Sequence, residues 1–135
     1  LFITQIYGAS VALYYDFKFE FSQGKSSGEY ILAHNYNNHT IIARMDFTAT
    51  TISSVIHRPI FFENSNRFGS FVIWDSKRYG SCESDSCLSI VEKQFYPKKL
   101  LLINNSPFQN SRFKLIKEFS PSICEDESIF LYESK

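Results

Sequence analysis

At 135 residues, 44% hydrophobic and 17% aromatic, the chain fits one domain, 1–135, able to bury one core. Its 14 Lys+Arg balance 14 Asp+Glu, so it lacks the basic excess that gathers phosphates by counterion release or grips anionic lipid. Nucleic acid is thereby set aside as a main partner, and with no apolar run of transmembrane length, so is membrane insertion.

In chain order, the opening LFITQIYGASVA reads as a first strand. It starts at Leu1 rather than Met, as a trimmed or excised chain does. Its Ala9-Ser10-Val11-Ala12 also suits the small-residue end of a signal peptide. In YYDFKFEF, the aromatics Tyr15, Phe17, Phe19 and Phe21 alternate with Asp16, Lys18 and Glu20. A period of two is that of an antiparallel strand with one wet face.

Turn chemistry follows at strand-like intervals: QGKSSGE, NYNNH, ENSNRFG, SKRYGSCESDS, NNSPFQNS and SPSICEDES. Gly, Asn, Asp, Ser and Pro serve turns through positive φ, side-chain-to-backbone bonds or a fixed φ. Between them the sequence predicts strands near 2–7, 11–21, 29–36, 39–50, 59–63, 69–75, 99–104, 111–119 and 128–133. Pro59 cannot donate to a ladder and marks a break or an edge. Leu88, Val91, Glu92 and Phe95 have helical spacing ahead of Pro97, so 86–96 is a short helix or another strand. Many short strands with regular turns predict an all-β fold, an antiparallel β-sandwich of jelly-roll or other Greek-key form.

Cys82 and Cys87 bracket a short acidic segment. Their spacing is neither that of a CxxC redox site nor that of the paired ligands of a zinc fold. A disulfide between Cys82 and Cys87 is preferred for its locality, although pairing of either with Cys124 would close a longer loop. Sequons at Asn38 and Asn104 lie in predicted loops and point to glycosylation. Together these features predict a secreted or cell-surface protein.

Four constellations bear on function. Glu83 and Asp85 in one loop, with Glu125, Asp126 and Glu127 in another, would form an oxygen-rich Ca²⁺ site if a disulfide drew the loops together; two separate solvated loops explain the same residues. Trp74, Asp75, Arg78 and Tyr79 sit at a strand-to-loop junction and are types that dominate recognition patches. A lone Trp in a small β domain belongs to the core, which leaves Arg78 and Tyr79 as the loop's ligand-binding pair. His34, His39 and His57 would serve a hydrolase if two met a carboxylate or hydroxyl in one cleft, but no GxSxG, HExxH or P-loop accompanies them. An aromatic-lined barrel carrying a small apolar ligand is the fourth reading. The sequence favours a non-catalytic recognition or adhesion module that binds a protein or carbohydrate through its loops and needs no cofactor.

Overall fold

A computed structural model describes residues 2–18, 22–76, 78, 85–120 and 127–135, with nothing stated for the side chains of Asp16 and Asp85. Three short apolar runs form its centre: Thr40–Ala43 (β1), Ile60–Phe62 (β2) and Leu100–Asn104 (β4) are buried at every position. Strands apolar on both faces need cover on both faces, as parallel strands under helices have. β1 pairs in parallel with β2 on one side and with β4 on the other. The margins are antiparallel. Arg67–Gly69 (β3) pairs with β2, Ile129–Ser134 (β6) pairs with β4, and Phe113–Phe119 (β5) pairs with β6. The order across the six strands is β3-β2-β1-β4-β6-β5.

Successive residues of each strand serve opposite faces. Phe62, Ala43, Ile103 and Leu131 form one row across the sheet, and Phe61, Ile42, Leu102 and Tyr132 the next. The first row packs under Gly24–Ala33 (α2) and Asp46–Ile56 (α3), which contribute Ile31, Ala49, Ile52 and Ile56. The second packs under Asp85–Phe95 (α4) through Leu88 and Val91, with Phe95 beside them. The result is a three-layer α/β/α arrangement.

α2 and α3 approach closely because α2 presents glycine. A Cβ on Gly24 would lie 2.6 Å from Thr51 Cβ, and one on Gly28 2.7 Å from Val55 Cβ. Ser27 lies between them, fully buried, and its hydroxyl donates to the Gln23 carbonyl at 2.8 Å. His34 caps α2, and the turn after it runs through Asn35 at φ 59; α3 ends on His57 at φ 53. Both positions require the left-handed conformation, which Asn and His enter more readily than most residues.

The all-β, antiparallel sandwich expected from the sequence is therefore corrected to a mixed α/β fold with a parallel centre. The strands expected at 2–7 and 11–21 fall largely in one helix, Phe2–Lys18 (α1); residues 19–21 of that alternation lie outside the described ones. α1 is held locally by i,i+4 bonds, from the Ser10 hydroxyl to the Ile6 carbonyl at 2.8 Å and from Lys18 Nζ to the Tyr14 hydroxyl at 2.8 Å. Its aromatics are exposed and join neither core cluster. The expected strand at 29–36 is the end of α2 and a turn. That at 39–50 is β1 running into α3, and at 69–75 the chain leaves β3 without further pairing. The strands near 59–63, 99–104, 111–119 and 128–133 are present, as is a helix over 86–96, which ends two residues before Pro97.

Candidate functional site

The chain leaves β1 for β2 through α3 on one face of the sheet. It reaches β4, on the other side of β1, through α4 on the opposite face. The direction of winding thus reverses between β1 and β4. Open α/β sheets bind ligands in the crevice beyond the carboxyl ends of their strands at such a point. Arg44 and Asp46 follow β1, Glu63 and Asn64 follow β2, and Asn104 ends β4.

Asp46, Glu63, Asn64 and Asn104 are buried, with Glu63 bonded to Arg44 and Asp46 to Arg78 and Asn64. Arg44 Nε donates to Glu63 Oε2 at 3.3 Å, and its guanidinium lies 5.0 Å from the centre of the Phe108 ring. Burial pushes the Glu63 carboxyl above its ordinary value, against the pull of Arg44. Asp46 is 2% exposed. Arg78 grips it with two bonds, Nε to Oδ2 at 2.6 Å and Nη2 to Oδ1 at 2.9 Å. Burial works to raise the Asp46 carboxyl, yet the Arg78 bonds and charge, the Asn64 amide and the Phe47 backbone N–H together hold it below its ordinary value. Each carboxylate is thus matched by an arginine. The Asp46 carboxyl also occupies the first turn of α3, where a phosphate would otherwise find free N–H groups and a favourable dipole. The crevice is not built as a phosphate cradle.

Arg78 joins this crevice to the surface. Its guanidinium carbon lies 4.0 Å from the centre of the Trp74 ring. Trp74, expected in the core, is 77% exposed. Phe68, Phe71 and Ile73 are exposed beside it in sequence. Arg67 braces the segment, donating from Nη1 to Asp75 Oδ2 at 3.0 Å and from Nη2 to the Ile73 carbonyl at 3.1 Å. No family model matches the chain, and no curated protein or solved structure is significantly similar to it. Function must therefore be argued from this geometry.

Of the residues singled out from the sequence, Trp74, Asp75 and Arg78 come together, while Tyr79 lies outside the described residues. Of the proposed calcium ligands, Glu83, Glu125 and Asp126 lie outside them and Asp85 is described only as the first residue of α4. Glu127 is half-buried, and its carbonyl accepts the Gln23 N–H at 3.3 Å. Among the described residues no group of three His, Cys, Asp or Glu could hold a metal ion. Cys87 is disulfide-bonded, and Cys82 and Cys124 both lie outside the described residues. Asn38 is exposed. Asn104 is buried, with its amide nitrogen donating to the Ser106 carbonyl at 2.9 Å.

The histidines lie away from this crevice. His34 and His39 flank Tyr36 before β1, with His34 stacked 3.9 Å from Tyr30 and His39 Nε2 3.2 Å from Glu133 Oε1. Lys99 also donates to that Glu133 oxygen, at 3.4 Å. His57 ends α3. Sequence reasoning missed Arg44, Asp46, Glu63 and Asn64. The available signal was their position, one to three residues after short uninterrupted apolar runs, where a parallel strand delivers its ligand-facing loop.

Proposed function

We propose that the protein is a non-catalytic recognition module that binds a protein partner through the segment Arg67–Arg78. The observation that carries this reading is the exposed Trp74 ring backed by Arg78, itself doubly bonded to the buried Asp46. An aromatic anchor held in place before binding loses little side-chain freedom on docking, and Trp and Arg are the types that dominate interface energies. Phe71 and Ile73, in the same segment, are exposed as well. The neutral pairing of charges in the crevice offers an anionic small molecule no net attraction.

A photo-crosslinking amino acid at position 74 or 71, in the protein's native host, tests the reading against one at the exposed Lys98. The proposal expects a discrete adduct at 74 and 71, absent at 98, that added wild-type protein displaces and Trp74→Ala protein does not. Identical labelling at all three positions overturns it. A secreted or cell-surface setting belongs to the same proposal and is supported by the exposed sequon at Asn38; a glycosidase-sensitive mass on host-derived protein is the expected result.

A further inference from the structure

A second site adjoins the crevice, between α4 and the 3-10 turn Glu63–Ser65 that follows β2. A cavity of about 310 Å³ is lined there by Glu63, Asn64, Asn66, Ile90, Val91 and Gln94, among others. That volume is in the range of small-molecule sites. Glu63 is 8% exposed and Asn64 6%. Each carries a buried acceptor without a hydrogen-bond partner, Glu63 Oε1 and Asn64 Oδ1. The orientation of Asn64 follows from its neighbour: its amide is bonded to the Asp46 carboxylate, which accepts only N–H, and the carbonyl oxygen is the end left over.

An acceptor sealed away from water without a donor is destabilising until a donor reaches it. Here two such groups are adjacent, and among the described lining residues there is no Lys or Arg. Arg44 bonds the other Glu63 oxygen. Ile90 and Val91 give the wall an aliphatic patch, beside Cys87 and the amides of Asn66 and Gln94. Two unmet acceptors at one end, with Arg44 engaged only on the other Glu63 oxygen and an aliphatic patch beside them, suit a ligand that brings several donors on a short hydrocarbon body. We propose that this cavity binds a small aliphatic primary amine as its ammonium ion, with Glu63 and Asn64 as the acceptors and Ile90 and Val91 against the alkyl chain. Burial raises the Glu63 carboxyl. The bound ammonium favours the ionised form, so affinity falls as pH drops through the Glu63 titration.

Saturation-transfer NMR on the full chain with n-butylammonium, n-butanol and butyrate tests this. The expected order is butylammonium about tenfold tighter than butanol, in line with a charge-assisted against a neutral hydrogen bond, with no transfer to butyrate. Glu63→Gln is expected to remove the preference for the amine over the alcohol. Because that change also disturbs Arg44, two surface variants accompany it. Ile90→Trp, at an exposed position, should fill the cavity and abolish binding of all three probes, and Gln94→Lys should supply a tethered ammonium and exclude butylammonium. Equal transfer to the amine, the alcohol and the acid overturns the proposal, as does the absence of transfer to the amine or binding unaffected by Ile90→Trp. None of these outcomes touches the cross-linking test of the Trp74 surface.

Discussion

Arg78 places the face of its guanidinium on the Trp74 ring and its edge on the Asp46 carboxylate. A lysine cannot do both, having neither the plane nor the fork. The folded Asp46 carboxyl titrates below its unfolded value of about 3.9, so its contribution to stability is fully present above that pH and is lost as pH falls through the folded value. Glu63 has the opposite sign. Its folded value is raised, so its burden on stability is greatest above that value and is relieved as pH falls towards the unfolded one. Asp46→Asn is therefore expected to lower stability by about 1.5–3 kcal/mol at neutral pH, the range for a hydrogen bond to a charged group. The deficit should close below pH about 4. Urea unfolding of both proteins from pH 7 to 3 checks this, and a deficit independent of pH would refute the assignment. At this scale Arg78 was legible in the sequence, because loop arginines beside aromatics suit recognition. Asp46 was not, because nothing local distinguishes it from a solvated acid until β1 is known to be parallel and to end beside it.

At the scale of elements, QGKSSGE shows why composition misled. Gly and Ser ordinarily mark turns, but here they form a helix whose small side chains let α2 lie against α3. Gly28→Ala should gain about 1 kcal/mol in helix propensity and lose more, about 1–3 kcal/mol, to the clash with Val55. The net expectation is destabilisation in a denaturant melt, largely reversed by adding Val55→Ala. Stabilisation by the single change would show that the helices are not in this contact. The strands were read with uneven success for a related reason. Alternation is a signal of half-exposed strands, and YYDFKFEF carries it, yet residues up to Lys18 are helical. The strands at the centre carry no alternation: Ile41-Ile42-Ala43, Ile60-Phe61-Phe62 and Leu100 to Ile103 are solid apolar runs. That pattern is the mark of a sheet covered on both sides, and spaced some way apart it pointed to helical crossovers rather than hairpins. The antiparallel margin, β5 and β6, was found where expected because β5 mixes exposed charges at Lys114, Lys117 and Glu118 with apolar residues, as a half-exposed edge strand does.

Over the whole molecule, two apolar clusters sandwich the sheet and α1 belongs to neither. Among the described residues no helix is long and apolar enough to cross a membrane. Removing residues 1–18 should therefore leave the unfolding free energy within about 0.5 kcal/mol of the full chain, as surface changes do. A larger loss in urea would mean that α1 contributes to the core. The three-layer order itself could be inferred only by joining the solid strands to the helices between them, which required reading QGKSSGEYILA and DFTATTISSVI as helices despite their Ser, Thr and Gly. The two outer layers are unequal. Above one face, α2 and α3 meet at van der Waals limits along the Gly24 and Gly28 seam; across the other, α4 is the one helix among the described residues that joins the core. The single-helix side is therefore expected to open more readily than the two-helix side. Amide protons of α4 should exchange sooner than those of α3, and any guest reaching the interior enters by that door.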